Sequence, residues 1–348
     1  ILRRKEDLMA KANQRVRVVI DAMGGDYAPG EIVKGAVAAA EKDDVEVILV
    51  GPSDSIEAEL ANYNISRLPV HYVNADDFIK EEKHPALAVR HRPNSSIVVA
   101  TNMVKAGEAD GLLGATATGA LVTSAMQSLG MVDGIERPVI GGVLSSVAPK
   151  TAVFDLGVNV DCKPRHLLTF AIIGSVYARI FLNIANPTVA LLNIGREADK
   201  GNQLVQEAYR LLEKSGLNFI GNVEGNGILS GQANVIVCDA FVGNAILKFS
   251  ESGVEVIGNY LTSKVSRYPI IGHRLKGKIE KLMASLSLSD IMAGGLIWGV
   301  DGIVFKVHGH SRAPDVAKKI AQVKTAVEGD VVNCLKSELT TIRKKLNL

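Results

Sequence analysis

Short, continuous apolar runs alternate along the chain with stretches whose apolar positions recur every three or four residues. Small polar residues separate the two kinds of segment. Val16–Ile20 is the first run. It ends in Asp21 and passes through Gly24-Gly25-Asp26, and Pro29 opens a helical pattern to Ala40. Further strands are predicted over Val45–Val50, Pro69–Val73, Gly111–Gly114, Val139–Leu144, Ala152–Phe154, Thr188–Ile194 and Asn234–Cys238. Helices are predicted from Ser53 or Ser55 to Tyr63, over Ser95–Lys105, and from the Ala115–Gly119 loop to Leu129. Strand, glycine-bearing turn and helix in repetition is the α/β signature. Uninterrupted apolar strands imply burial on both faces. The expected fold is a three-layer αβα arrangement around a mostly parallel sheet, with ligands bound beyond the carboxyl ends of its strands.

The pattern changes at Phe241. From there to Leu288 no strand is predicted, only two helices broken near Ser266–Gly272, where Pro269 and Gly272 interrupt the period. A last strand, Ile303–Val307, precedes His308-Gly309-His310, and helical pattern runs from Ala313 to the end. The expected division is an N-terminal arm (1–15), a two-lobed α/β domain (16–330) carrying a helical hairpin at about 242–288, and a C-terminal helical tail (331–348).

Composition narrows the function. The 348 residues hold 39 Lys and Arg against 37 Asp and Glu, a net charge of +2, and only 5% aromatics. That balance excludes a protein built to neutralise nucleic-acid phosphates or to stack bases. Cys162, Cys238 and Cys334 are three in number with no C-x-x-C spacing, which excludes a disulfide framework and a cysteine metal site and points to a reducing cytoplasm. Leu167–Leu182 is apolar but short for a membrane span and carries Arg179. The first 17 residues carry six basic and two acidic side chains and no apolar core of a signal peptide.

Six small polar loops follow the predicted strands. They are Asp21–Asp26, Ala115–Gly119, Asp155–Asp161, Asn193–Gly195 with Lys200-Gly201, Gly221–Gly225, and Asp239–Asn244. Each alone reads as a turn or a helix cap; six together point to a shared site, and hydroxyls, amides and backbone N–H groups at helix starts suit a phosphate. No Walker loop, dinucleotide fingerprint, nucleophile elbow or zinc helix is present. His308 and His310, at i, i+2 spacing, are the one histidine pair close enough in sequence to suggest a metal, and no metal site is expected there.

These loops carry a resemblance. Asp21-Ala22-Met23-Gly24-Gly25-Asp26-Tyr27-Ala28-Pro29 is similar to the opening signature of the bacterial phosphate acyltransferase family of phospholipid synthesis (PlsX). The similarity continues through Ala88-Val89-Arg90 with Ser95-Ser96, Thr118-Gly119-Ala120, Asp155 to Cys162, Asn193-Ile194-Gly195 with Lys200-Gly201, Gly221 to Gly225, Cys238-Asp239, Phe241 to Asn244, Gly294-Gly295 and His308-Gly309, covering roughly 16–330. The resemblance implies a fold like that of isocitrate and isopropylmalate dehydrogenases, shared with phosphotransacetylases, and a homodimer without cofactor or metal. It implies transfer of a fatty acyl group from acyl-[acyl-carrier-protein] to inorganic phosphate, with a glycerol-3-phosphate acyltransferase consuming the acyl phosphate. Such chemistry needs no strong base, because phosphate near neutrality is already an anion and a thiol with a pKa of about 8.5 is a tolerable leaving group.

Candidate roles follow. Lys200 is the cation for phosphate or developing charge. Thr116, Thr118 and Gly119 supply hydroxyl and backbone donors; Asn159, Asn193, Asn222 and Asn244 supply neutral polar contacts. His308 is a candidate to protonate the departing thiolate, with a structural role as the alternative. Gly24, Gly25, Gly195 and Glu224 belong to the same loops. Asp21, Asp26, Asp155, Asp161 and Asp239 orient loops rather than touch phosphate, because like charges repel. The sequence also departs from the family. Where the family usually has Gly-Asn-Thr-Gly, this chain has Thr116-Ala117-Thr118-Gly119; if the missing amide held an oxyanion, its loss costs about 10²–10³ in rate. Ala240 replaces a usual glycine, and Gly294-Gly295-Leu296-Ile297 stands for a Gly-Gly-Ala-Pro-like stretch.

The hairpin has its own chemistry. Lys264, Arg267, Arg274, Lys276, Lys278 and Lys281 surround Tyr268, Pro269, Ile270 and Ile271, with Glu280 the one acid among them. Basic flanks around an apolar tip suit an anionic membrane surface; packing of the tip in a dimer is the alternative. The resemblance implies a cytoplasmic protein peripherally bound to membrane, which agrees with the tip. Other readings share the fold: a phosphotransacetylase-like enzyme using acyl-CoA, an NAD-dependent decarboxylating dehydrogenase, for which no nucleotide or metal site is legible, and an inactive membrane-associated scaffold.

Overall fold

The computed structural model of the protein describes residues 15–80, 85–144, 146–265, 275–279, 281–283 and 294–348. The arm 1–14 and the hairpin tip with Tyr268, Ile270 and Ile271 lie outside them. The chain divides into two compact units: Ile1–Met131 with Val300–Asp330, and Val132–Gly299 with Val331–Leu348.

The first unit contains β1 (Val16–Asp21), α1 (Gly30–Lys42), β2 (Val45–Gly51), α2 (Ser53–Leu60), β3 (Val70–Asn74), α3 (Pro85–His91), α4 (Ser96–Ala106), β4 (Gly111–Gly114) and α5 (Thr118–Ser128). After an excursion through the second unit the chain returns as β10 (Val304–Lys306) and α10 (Ala313–Glu328). The sheet order is β10-β4-β1-β2-β3, and every pairing is parallel. Consecutive residues Val18, Val19 and Ile20 of β1 are buried, as are Leu112 and Leu113 of β4, so both faces are covered by helices. Gly35 of α1 lies against Val316 and the Ala313 carbonyl of α10 so closely that a Cβ there would meet both.

The second unit contains β5 (Gly141–Val143), β6 (Ala152–Phe154), α6 (Pro164–Phe181), β7 (Val189–Leu192), α7 (Gln203–Ser215), β8 (Phe219–Val223), α8 (Asn226–Leu229), β9 (Val235–Val237), α9 (Ala240–Val265) and α11 (Val331–Leu346). Its sheet order is β5-β6-β9-β7-β8, parallel except where β5 meets β6. The apolar stretch around Leu167–Leu182 forms most of α6, a core helix packed on β6, β9, α7 and α11. Tyr177 and Phe181 of α6 stack on each other and meet the fully enclosed Trp298 edge-on, and Phe154 lies edge-on to Tyr177 and Trp298.

Several elements differ from expectation. Gly221–Val223, read as a loop, ends strand β8; it is an edge strand with one half-exposed face, so it needs no continuous apolar run. The helix expected from Ala313 to the end breaks at Gly329-Asp330, where Asp330 adopts a φ of 48°, and the chain there passes from the first unit to the second. Strands expected over Val139–Leu144, Thr188–Ile194 and Asn234–Cys238 are shorter at both ends. The first hairpin helix, α9, is 26 residues long.

Candidate active site

In the first unit, strand order reverses at β1: the chain moves to β2 on one side and later to β4 on the other. A crevice beyond the carboxyl ends of β1 and β4 is where an open parallel sheet receives ligands. The loops after β1, β4 and β10 meet there. Asp21 closes β1 and is buried; its Oδ1 accepts hydrogen bonds from Ser96 Oγ at 2.6 Å and from the Met23 nitrogen at 3.1 Å. Burial pushes its carboxyl above the ordinary range, against the pull of those bonds and of Lys306. Gly24 is required by close approach: a Cβ would sit 2.5 Å from the Thr116 nitrogen. Gly25 has a φ of 92°, with the Gly309 carbonyl 3.0 Å from where its Cβ would be. The Asp26 nitrogen donates to that same Gly309 carbonyl at 2.8 Å.

Thr116 is buried, and its hydroxyl donates to the Ile79 carbonyl at 2.8 Å, so the hydroxyl is a brace rather than a free donor. Thr118 and Gly119 are exposed at the first turn of α5. Among the described residues, no hydrogen bond engages the backbone nitrogens of Thr116, Ala117, Thr118 or Gly119. His308 and His310, just beyond the end of β10 at Lys306, stack on one side with ring centroids 5.5 Å apart, the side-by-side placement that i, i+2 spacing gives on extended backbone.

Lys306 has no counterpart among the residues singled out from the sequence. It is the last residue of β10 and is 7% exposed. Its Nζ donates to the Val307 carbonyl at 2.6 Å and to the Ala115 carbonyl at 3.3 Å. Burial lowers its pKa to about 8, and the Asp21 and Asp26 carboxylates hold it from falling further. In the sequence it closes an apolar strand at a position where every neighbouring strand ends in glycine, asparagine or aspartate, and that was its one visible signal.

The second unit assembles two groups at the carboxyl edge of its sheet. Asp155 follows β6 and is fully buried. Its Oδ1 accepts from the nitrogens of Gly157 at 2.9 Å and Val158 at 3.1 Å, and its Oδ2 from the Asn159 nitrogen at 2.9 Å and Nδ2 at 2.7 Å. Asn159 Nδ2 also donates to the Pro138 carbonyl at 2.9 Å, and the Asn159 carbonyl accepts from Ala240 N. Both its amide and its carbonyl are thus used to hold the Asp155–Asp161 loop against the start of α9. Asp239 Oδ1 accepts from Val242 N at 2.9 Å as a helix cap. Gly243 lies directly on the Asp155 carbonyl, with no space for a Cβ. Asn244 is exposed beside Gly157, and Asp161 is exposed. Cys162 donates to the Asn159 carbonyl at 3.3 Å; burial and the Asp155 and Asp239 charges push its thiol up to about 12.

The other group lies after β7 and β8. Asn193 Nδ2 donates to the Lys200 carbonyl at 3.0 Å, and Gly201, with a φ of 88°, packs on the Asn193 amide. Lys200 itself is exposed, its stem 3.1 Å from where a Gly195 Cβ would be. Asn222 is 7% exposed; Nδ2 donates to the Glu197 carbonyl at 2.8 Å, and Oδ1 has no partner among the described residues. Glu224 faces Arg196 at 3.8 Å.

A family model described as fatty acid synthesis protein matches residues 16–334. A phosphate acyltransferase of Pelotomaculum thermopropionicum is 40% identical over 338 residues, spanning 95% of this chain and 97% of that protein. One of Dictyoglomus turgidum is 42% identical over 320 residues, spanning 90% and 95%. Among solved structures, a phosphotransacetylase from Streptococcus pyogenes superposes with a TM-score of 0.60 at 17% identity, covering 91% of this chain and 95% of that one. That likeness concerns the fold.

Proposed function

The chain belongs to the fatty acid synthesis protein family that its phosphate acyltransferase relatives share, and from that premise we propose that it moves a fatty acyl group from acyl-[acyl-carrier-protein] to inorganic phosphate. The observation that carries the proposal lies in the first unit. Four successive backbone nitrogens, Thr116 to Gly119, open α5 at the switch point of a parallel sheet without partners among the described residues. Such a row of N–H groups receives an oxyanion or a phosphate.

A phosphate oxygen attacks the thioester carbonyl carbon. The tetrahedral intermediate then expels the thiolate, which takes up a proton to give the free carrier thiol. The anion needs no base, so positioning and donors to developing charge account for the rate. His308 is proposed as the group that protonates the thiolate, and exposed Lys200 as a cation for phosphate. Asn159 is proposed as a positioning residue, since its amide hydrogens are committed to Asp155 and Pro138. No cofactor enters this atom balance.

Assembly as a homodimer is supported by α9, which leaves Phe241, Phe249, Val256, Ile257 and Tyr260 exposed along its length. No described helix is long and apolar enough to cross a membrane. Cytoplasmic location with peripheral binding to an anionic surface, and hand-over of the acyl phosphate to a glycerol-3-phosphate acyltransferase, are parts of the same proposal. Vesicle flotation of the Ile270→Asp/Ile271→Asp protein tests the surface contact: weakened binding supports it and unchanged binding removes it. The donor is tested by offering palmitoyl carrier protein and palmitoyl-CoA with and without phosphate. The proposal expects faster phosphate-dependent turnover of the carrier-bound acyl group; preference for CoA contradicts it.

A further inference from the structure

We propose that Lys306 is a positioning residue for phosphate: it holds the Ala115 carbonyl and so sets the direction of the backbone N–H row that begins at Thr116. The proposal rests on the phosphate acyltransferase reading. A trans peptide is planar, with its C=O and N–H pointing opposite ways. The Ala115 carbonyl accepts from Lys306 Nζ, so the Thr116 N–H is directed away from the ammonium. The other end of that peptide is fixed by the Thr116 hydroxyl on the Ile79 carbonyl and by Gly24 packed against the Thr116 nitrogen.

A buried ammonium is costly, and an apolar side chain of similar length would fill the end of β10 without that cost. What the ammonium adds is direction. With one side chain it grips the backbone after β10 and the backbone after β4, while Asp26 and Gly25 tie the β1 loop to Gly309. Three loops from three adjacent strands are thereby held around one charge. The charges acting on Lys306 are Asp21 and Asp26. The adjoining β4 and α5 carry no ionisable side chain, and α10, which packs on β10, carries Asp315, Lys318, Lys319, Lys324 and Glu328.

The experiment measures KM for phosphate, KM for acyl carrier protein thioester, kcat and melting temperature across pH 6.5–9.5, in wild type and in Lys306→Met. Lys306 is charged below about pH 8, so wild-type KM for phosphate is expected to rise above that pH. Stability runs the other way: the folded pKa lies below the ordinary lysine value, so losing the proton relieves a burial penalty and the melting temperature receives no loss from Lys306. In folded Lys306→Met the alkaline limb disappears and KM for phosphate rises about 10- to 100-fold, the scale of a misaimed binding group, with KM for the thioester nearly unchanged. Propylammonium added to Lys306→Ala is expected to recover part of the loss. An unchanged KM for phosphate in Lys306→Met, or no limb near pH 8 in wild type, overturns the proposal. If Lys306→Met does not fold, Lys306→Arg decides: a KM for phosphate near the wild-type value with the alkaline limb abolished supports the proposal, and a limb that persists unchanged overturns it. Wild-type turnover that ignores phosphate removes the underlying reading, which distinguishes its failure from that of Lys306.

Discussion

Replacing Asp155 by asparagine removes one negative charge and changes few atoms, yet the second unit is expected to lose much of its stability. The carboxylate sits at zero exposure and accepts four hydrogen bonds, two on each oxygen, from Gly157, Val158 and Asn159. In asparagine one oxygen becomes an NH₂ that confronts two N–H donors. Two charge-assisted bonds are lost at about 1.5–3 kcal/mol each, roughly 3–6 kcal/mol in all. For a unit of this size 1 kcal/mol shifts the melting temperature by about 2–4 °C, so a fall of roughly 6–24 °C is expected. Thermal melts monitored by circular dichroism measure it, with the exposed Asp199→Asn protein as a control expected to stay within about 0.5 kcal/mol of wild type. The Asn159 carbonyl also anchors Ala240 N at the start of α9, so transfer activity is expected to fall along with stability. A melting temperature within about 2 °C of wild type would refute the view that this loop hangs on one buried carboxylate.

Further outcomes follow from the same geometry. Lys200→Ala is expected to reduce kcat/KM for phosphate at least tenfold, about 1.4 kcal/mol of transition-state stabilisation, with the melting temperature unchanged because the side chain is exposed; undiminished activity takes Lys200 out of the site. Alkylation at pH 8 followed by peptide mass spectrometry is expected to label exposed Cys334 well before Cys162, whose thiol is pushed up to about 12 and holds almost no thiolate. Faster labelling of Cys162 contradicts that assignment. Gly24→Ala is expected to cost about 1–3 kcal/mol and to raise KM for phosphate, because its Cβ would press on the Thr116 nitrogen; wild-type kinetics would show that the β1 loop moves freely.

The fold was legible where apolar runs were continuous. Val18 to Ile20, Leu112-Leu113 and Ala152 to Phe154 are buried on both faces, and burial of that kind leaves no alternation to misread. Edge strand β8 was hidden because Gly221 and Asn222 suit a strand with one open face as well as they suit a loop. Six glycine-bearing loops were visible, and close backbone approach explains Gly24 and Gly25 in particular. The local meaning of the polar residues was less visible. Asn159 reads as a free amide in the sequence, but its hydrogens serve Asp155 and Pro138. A single lysine at the end of a short strand reads as a solvated residue; only the convergence of three loops buries Lys306.

The most direct test of the central claim is a stoichiometry. Palmitoyl carrier protein and inorganic phosphate are mixed with the protein, the acyl phosphate is followed by ³¹P NMR, and the free carrier thiol is counted in parallel. One acyl phosphate formed for each thiol released, with no release when phosphate is omitted, is the predicted result. Thiol release that continues at the same rate without phosphate would contradict it.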